Sequence, residues 1–306
     1  VRALSASAWI DGLRARERHC FEESSMADQS GSLDESEATF QRLQSLARFH
    51  PSYDPTLKYV KYRRLLVDWI IHHCRQMELS PLVFHSAISL MDRLLSLVTV
   101  SRRSFELIST SAILLAAKLE DTVERVPGLS VLKKIDTNGS YTAEAIKKAE
   151  IFILEHLKWS VMSATPQHFL QWYFDRGVIS EGDMVDGVPA MELQERVLAP
   201  LRRLASFVSE LCLSDYQFLQ FPPDILAAAI LAQSRKIAKF QPIWNEHLTV
   251  LTSQPESKFS SCLAKVDLFW QNSFDRKSTE SGAASPLDAS PVNVTDLSSF
   301  ASPRGL

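Results

Sequence analysis

The chain has 306 residues, of which 45% are apolar and 23% charged, with a formal net charge of -3. This length allows two ordinary domains with apolar cores, and the near-neutral charge gives no reason to expect a nucleic-acid partner. Four cysteines stand far apart, without the spacing of a zinc site or a disulfide framework, so neither a metal nor another cofactor is predicted.

Membrane and export signals are absent from the sequence pattern. No apolar run approaches the roughly 20 residues that a membrane-spanning helix needs. Residues 1–11 lack the basic start and apolar stretch of a secretory signal. We therefore expect no membrane partner, reduced thiols, and a nuclear and/or cytoplasmic location.

Both ends of the chain differ in composition from its centre. Residues 1–50 are predicted to form an N-terminal arm that is partly disordered, because residues 24–37 are rich in Ser, Asp and Glu. A short helix is expected over residues 9–21. Residues 273–306 are rich in Ser, Pro and Asp and poor in apolar residues, which predicts a disordered tail.

Between these ends, apolar residues recur at three and four positions, which is typical of helices. Two runs of five helices are predicted, at about 57–77, 81–95, 103–120, 129–135 and 142–159, and then at about 166–175, 193–213, 223–239, 243–251 and 256–271. The third helix of each run is rich in Ala, and small side chains let neighbouring helices approach closely. This repetition indicates an all-α protein with two tandem five-helix domains, at residues 51–162 and 163–272.

Three strings on consecutive helices of the first domain resemble the cyclin box. They are Arg63-Arg-Leu-Leu-Val-Asp-Trp69, Met91-Asp-Arg-Leu-Leu95 and Leu114-Leu-Ala-Ala-Lys-Leu-Glu120. In the second domain, Thr165-Pro-Gln-His-Phe-Leu-Gln-Trp-Tyr-Phe174 and Glu210-Leu-Cys-Leu-Ser-Asp-Tyr216 resemble the cyclin strings there. The strings resemble J-type cyclins most. The resemblance implies two cyclin boxes and a non-catalytic regulatory subunit that binds and allosterically activates a cyclin-dependent Ser/Thr kinase in cell-cycle control.

The resemblance also assigns roles to four charged residues. Arg63 and Asp92 match an ion pair that joins the first two helices and stabilises the box. Lys118 and Glu150 match the pair that reaches the kinase backbone. The spacing between Lys118 and Glu150 is longer than in the family pattern, and we place the additional residues at 136–140.

Many cyclins carry a substrate-docking patch on the first helix, for substrates or inhibitors that contain Arg-x-Leu. The matching positions here are Tyr62, Leu65, Leu66, Trp69, Glu106 and His72. Trp69 and the leucines agree with the family pattern, whereas Tyr62, Glu106 and His72 replace its Met, Gln and Glu. The alternative interpretation is that Leu66 and Trp69 are core residues only.

Two other functions fit the same fold. A general transcription factor of this fold should show a basic face and usually an N-terminal zinc ribbon, and the net charge of -3 and the missing cysteine pairs argue against it. A degenerate cyclin that serves as a scaffold or a transcription-type adaptor has no sequence feature against it. An enzyme is disfavoured, because the sequence has no phosphate-binding Gly loop, H-E-x-x-H or G-x-S-x-G motif.

Overall fold

The computed structural model describes residues 35–135 and 141–274. Within these ranges the fold consists mainly of eleven α-helices, which are α1 (Glu35–Ala47), α2 (Val60–Gln76), α3 (Pro81–Leu97), α4 (Phe105–Glu120), α5 (Leu129–Leu132), α6 (Ala143–His156), α7 (Pro166–Arg176), α8 (Gln194–Ser214), α9 (Pro223–Ile237), α10 (Glu246–Thr252) and α11 (Glu256–Phe274). None of them combines the length and the apolar character that crossing a membrane requires.

The helix ends follow local capping chemistry. Pro81 occupies the first turn of α3, where the missing N–H is not needed. The Thr142 hydroxyl accepts a hydrogen bond from the Ala145 N–H (3.1 Å) and begins α6. The Asn245 side chain accepts one from the Leu248 N–H (2.9 Å), so α10 begins at Glu246. The predicted start at residue 243 was therefore wrong.

The helices bury two apolar cores, one in each predicted domain. Helices α2 to α6 enclose the first core, with α4 at its centre, and Ala112, Ala116 and Ala117 on α4 are fully buried. Helices α7 to α11 enclose the second core around α9, where residues 227–229 are fully buried alanines. The predicted all-α fold with two tandem five-helix domains is confirmed, including the central place of each Ala-rich helix.

Three short strands accompany the second domain and were not predicted. Strand β1 (Met184–Val185) pairs antiparallel with both β2 (Val188–Pro189) and β3 (Phe240–Gln241), in the order β2-β1-β3. Asp186 and Gly187 form the turn between β1 and β2 with φ angles of 49° and 82°. Positive φ at both central residues is the requirement of a two-residue hairpin turn.

Helix α1 lies in the segment for which the sequence analysis assigned no helix. Phe40 on α1 stacks on Trp172 with 4.5 Å between ring centroids and meets Phe169 edge-on at 6.2 Å. The Leu46 carbonyl accepts a hydrogen bond from the Ala164 N–H (3.3 Å). Residues 35–47 are thus packed against the second domain. The helix expected over 9–21 and the tail after residue 274 lie outside the described residues.

One histidine is enclosed in the first core. His85 on α3 is 1% exposed and stacks on Phe84 with 5.0 Å between ring centroids. Among the described residues, neither of its ring nitrogens has a hydrogen-bond partner. Burial, with a smaller contribution from nearby His168, lowers the pKa of His85 from 6.5 to about 3. The folded protein therefore holds this imidazole in its neutral form.

This burial predicts a loss of stability in mild acid. Below its ordinary pKa, His85 takes up a proton in the unfolded chain but not in the folded one, so the stabilisation present above that value is lost as pH falls. Between about pH 7.5 and about pH 5, the His85 contribution to the free energy of unfolding should fall by about 2 kcal/mol. His85→Leu should remove that part of the pH dependence in urea unfolding. An unchanged pH dependence in the variant would contradict the burial of a neutral imidazole.

Candidate functional site

Arg63 and Asp92 form a buried ion pair between α2 and α3. The Arg63 Nε lies 2.9 Å from Asp92 Oδ1, and Nη2 lies 2.8 Å from Oδ2, which is the two-point geometry of a guanidinium on a carboxylate. The two side chains are 2% and 1% exposed. Burial alone would lower the pKa of Arg63, but the Asp92 carboxylate outweighs it and the pKa is raised. The predicted pairing of these two residues is therefore present in the structure.

The same guanidinium also joins the two domains. Its Nη1 donates to the Leu213 carbonyl near the end of α8 (2.7 Å). The Tyr216 ring lies beneath the guanidinium, 5.4 Å from it, and the Tyr59 hydroxyl donates to Asp92 (3.1 Å). Arg63 therefore fixes α2 to α3 and to the second domain at once. Sequence reasoning did not find Leu213, since a backbone carbonyl leaves no signal in residue identity.

A second buried ion pair was missed altogether. Arg235 on α9 and Asp183 before β1 are both fully buried, with 2.6 Å between Nη2 and Oδ1. Arg235 also donates to the carbonyls of Val178 (2.8 Å) and Ile243 (2.9 Å), and Asn245 donates to Asp183 (2.9 Å). Residues far apart in sequence make this network, so only the unusual Arg at the end of an Ala-rich buried helix could have indicated it.

Lys118 and Glu150 meet at the surface of the first domain. The Lys118 Nζ lies 2.5 Å from Glu150 Oε1, and the side chains are 16% and 9% exposed. Helices α4 and α6 pack closely here, because Ser111 on α4 is small enough to donate its hydroxyl to the Ile146 carbonyl on α6 (3.1 Å). Lys118 lies two turns after Ser111 on α4, and Glu150 lies one turn after Ile146 on α6. The predicted pair is thus brought together within the chain itself.

The end of α4 that carries Lys118 is anchored to the second domain. Glu120 accepts a hydrogen bond from the Ser86 hydroxyl (2.6 Å), and its other oxygen lies 3.2 Å from the His168 Nε2 on α7. The Thr165 N–H donates to His168 Nδ1 (3.2 Å), so Nδ1 is the acceptor and the Nε2–H donates to Glu120. This connection orients the last turn of α4 and was not predicted.

The apolar residues that neighbour Lys118 and Glu150 in sequence differ in exposure. Ile151, next to Glu150, is 49% exposed, whereas Leu115 is fully buried and Leu119 and Phe152 are partly buried. An ammonium has three N–H donors, and a carboxylate has about four acceptor positions. Together they can donate to main-chain carbonyls and accept from main-chain amides of another protein.

The predicted docking patch is only partly open. Leu66 (8% exposed) and Trp69 (4% exposed) belong to the first core, and Trp69 packs edge-on against His73. Tyr62, Leu65, His72 and Glu106 are partly exposed. The alternative interpretation of Leu66 and Trp69 as core residues therefore agrees with their burial, and docking of an Arg-x-Leu segment stays a prediction.

The cysteines in the described part of the chain are free, and no metal site is formed there. Cys74, Cys212 and Cys262 are buried free thiols, and burial raises the pKa of Cys74 to about 12. Within residues 35–135 and 141–274, no group of three or more His, Cys, Asp or Glu side chains is placed to hold a metal ion.

The family is decided by comparison with known proteins. The model of the cyclin N-terminal domain matches residues 31–162, and that of the cyclin C-terminal domain matches residues 164–281. The chain belongs to the cyclin family. The predicted family is thus confirmed, and the two matched regions contain the two helical domains described above.

Curated relatives include J-type and mitotic cyclins. This cyclin is 29% identical to Cyclin-J of Xenopus laevis over 71% of this chain and 57% of the relative. It is 30% identical to G2/mitotic-specific cyclin S13-7 of Glycine max over 66% of this chain and 70% of the relative. The chain spans little more than half the length of several of these relatives. The predicted resemblance to J-type cyclins is confirmed.

Solved structures show the same fold. The cyclin of herpesvirus saimiri superposes with a TM-score of 0.58 at 20% identity, covering 79% of this chain and 97% of the viral one. A chain in the yeast RNA polymerase II CTD kinase complex CTDK-1 superposes with a TM-score of 0.53 at 15% identity, covering 89% of this chain and 83% of that chain. At these identities the likeness establishes the fold alone.

The buried ion pair predicts a large difference between two conservative substitutions. Asp92→Asn leaves the buried Arg63 charge without its counter-charge and should lower the free energy of unfolding by about 3–5 kcal/mol. Asp175→Asn is the matched control, because the Asp175–Arg202 pair is exposed (2.9 Å), and it should cost less than about 1 kcal/mol. Urea unfolding measures both.

A further variant separates charge from packing. Because Arg63→Met with Asp92→Leu removes both buried charges, the double variant should recover part of the Asp92→Asn loss. Equal losses for Asp92→Asn and the Asp175→Asn control would show that the Arg63 network does not contribute to stability.

Proposed function

We propose that this cyclin is a non-catalytic regulatory subunit that binds and allosterically activates a cyclin-dependent Ser/Thr kinase in cell-cycle control, in the nucleus and/or the cytoplasm. The observation that carries the proposal is the Lys118–Glu150 pair, at the surface between α4 and α6 of a family member. The relatives named as G2/mitotic-specific cyclins support the cell-cycle part of the proposal.

Allosteric activation requires that the cyclin bind one kinase conformation more tightly than another. A protein kinase is active when its ATP-binding lysine pairs with a glutamate on its C-helix and its activation loop is ordered. A surface that donates to carbonyls and accepts from amides recognises main-chain groups in one arrangement only, since both distances must be satisfied together. The Lys118–Glu150 surface thereby favours the active arrangement of the kinase.

Rigidity of the site is part of the mechanism. Ser111 holds α4 against α6, and Glu120 ties the end of α4 to His168 on α7. Because these contacts are made within the cyclin, binding does not have to order the two helices first. The free energy of binding is then available to shift the kinase toward its active state.

A charge exchange tests the proposal without removing the ion pair. Lys118→Glu combined with Glu150→Lys preserves an ion pair between α4 and α6 but presents each charge from the other helix. We expect kinase capture to weaken by at least about tenfold, or about 1.4 kcal/mol, with a corresponding loss of histone phosphorylation. Pull-down of purified cyclin-dependent kinases and a phosphorylation assay measure the two effects.

The matched control exchanges an exposed pair in the second domain. Asp175→Arg combined with Arg202→Asp alters a pair that is 53% and 43% exposed and should leave capture and phosphorylation unchanged. Thermal unfolding should show that both exchanged proteins are folded. If the Lys118/Glu150 exchange captures and activates kinases as well as the original protein, the role proposed for this pair is wrong. If the original protein captures no kinase, a scaffold role is favoured.

A further inference from the structure

Tyr62 on α2 is flanked by two positive charges. The Lys61 Nζ lies 4.9 Å from the centre of the Tyr62 ring, and the Arg102 guanidinium carbon lies 5.1 Å from it. These distances are within the range of cation–π attraction, so the aromatic ring attracts both cations. Tyr62 is itself partly exposed, and the ring and its cations therefore face solvent together.

Two more exposed cations are close to this pair in sequence. Lys58 lies in the turn just before α2, where the Val60 N–H bonds the Leu57 carbonyl. Arg103 follows Arg102 directly and is exposed as well. We call Lys58, Lys61, Tyr62, Arg102 and Arg103 the Tyr62 surface.

The turn that supplies Arg102 and Arg103 is held in place before any ligand arrives. Residues 102–104 form a 3₁₀ turn, in which the Ser104 N–H bonds the Ser101 carbonyl (2.9 Å). The Tyr141 hydroxyl donates to the Arg103 carbonyl (3.1 Å) and ties the turn to the segment before α6. The backbone positions of Arg102 and Arg103 are consequently set by the fold.

The charge of this surface opposes the ligand that the family resemblance implies. An Arg-x-Leu segment would bring its guanidinium to a surface with four exposed cations, where Glu106 is the carboxylate of the predicted patch. Its leucine would need an open apolar groove, yet Leu66 and Trp69 are 8% and 4% exposed. The charge of the surface disfavours a basic ligand and favours an acidic one, and the burial of Leu66 and Trp69 disfavours a ligand that needs an open apolar groove.

We propose that the Tyr62 surface is a docking site for acidic segments, rich in Asp and Glu, of the proteins that this cyclin brings to its kinase. The inference rests on the proposed function, and it specifies the substrates as proteins with acidic segments. Carboxylates of the segment would pair with the cations around Tyr62, and an apolar side chain between them would lie on the exposed parts of Tyr62 and Leu65. Such contacts are solvent-exposed, so docking is weak and depends on ionic strength.

Direct binding tests the proposal in the absence of a kinase. Fluorescence anisotropy of the full chain would compare a labelled Asp/Glu-rich peptide with a neutral Asn/Gln peptide of the same length, an Arg-x-Leu peptide and a phosphoserine peptide. The acidic peptide should bind more tightly than the other three, and its binding should weaken as the salt concentration is raised. Lys61→Glu with Arg102→Glu should weaken its binding by at least about tenfold.

Two exposed cations of the second domain provide the control. Arg203→Glu with Lys258→Glu changes the net charge by the same amount away from Tyr62 and should change the affinity by less than about twofold. Equal weakening by both double variants would show non-specific attraction and overturn the proposal. Preferential binding of the Arg-x-Leu or the phosphoserine peptide would also overturn it.

The two proposals fail in different ways. Phosphorylation of a short peptide substrate without an acidic segment should be unaffected by Lys61→Glu with Arg102→Glu, because the kinase-binding pair is untouched. If the original protein captures no kinase, the proposed function is overturned, whereas the anisotropy result for the acidic peptide is unaffected. Unchanged anisotropy in the Lys61/Arg102 variant would overturn only the docking site.

Discussion

A buried guanidinium joins the two helical domains. Arg63 pairs with Asp92 within the first domain and donates to the Leu213 carbonyl of the second. A buried charge is costly unless its counter-charge and its hydrogen-bond acceptors are all present. The native position of α8 supplies one of these acceptors, so displacement of the second domain would leave an N–H of a buried cation unsatisfied. The ion pair therefore specifies a geometry as well as contributing to stability.

That geometry reaches the candidate kinase-binding surface through α4. The Ala-rich centre of α4 lets its neighbours pack closely, and its end is joined to α7 through Glu120 and His168. Lys118 lies between these two constraints, and α6 brings Glu150 to it. In the proposed function, the fold contributes by fixing a short array of donors and acceptors near its surface. The proposed role requires no catalytic groups, since activation would result from differences in affinity.

Apolar spacing predicted most of the fold. The cyclin resemblance predicted the pairing of Arg63 with Asp92 and of Lys118 with Glu150. Helix α1 was missed because its acidic, Ser-rich start resembles a disordered segment, although Phe40, Leu43 and Ala47 have helical spacing. The Asp186-Gly187 hairpin carried a recognised turn signal, but its strands of two residues are too short for a periodic pattern. Long-range acceptors, such as the Leu213 carbonyl, could not be predicted because every residue carries one.

Hydrogen–deuterium exchange of this cyclin, alone and with a bound cyclin-dependent kinase, tests the central claim most directly. The account predicts that the kinase slows exchange at the end of α4 and along α6, where Lys118 and Glu150 lie. Exchange in α9, at the centre of the second core, should remain the same, since α9 is already buried. Slowed exchange confined to the second domain, with α4 and α6 unaffected, would contradict the claim that the kinase is recognised by this charged pair.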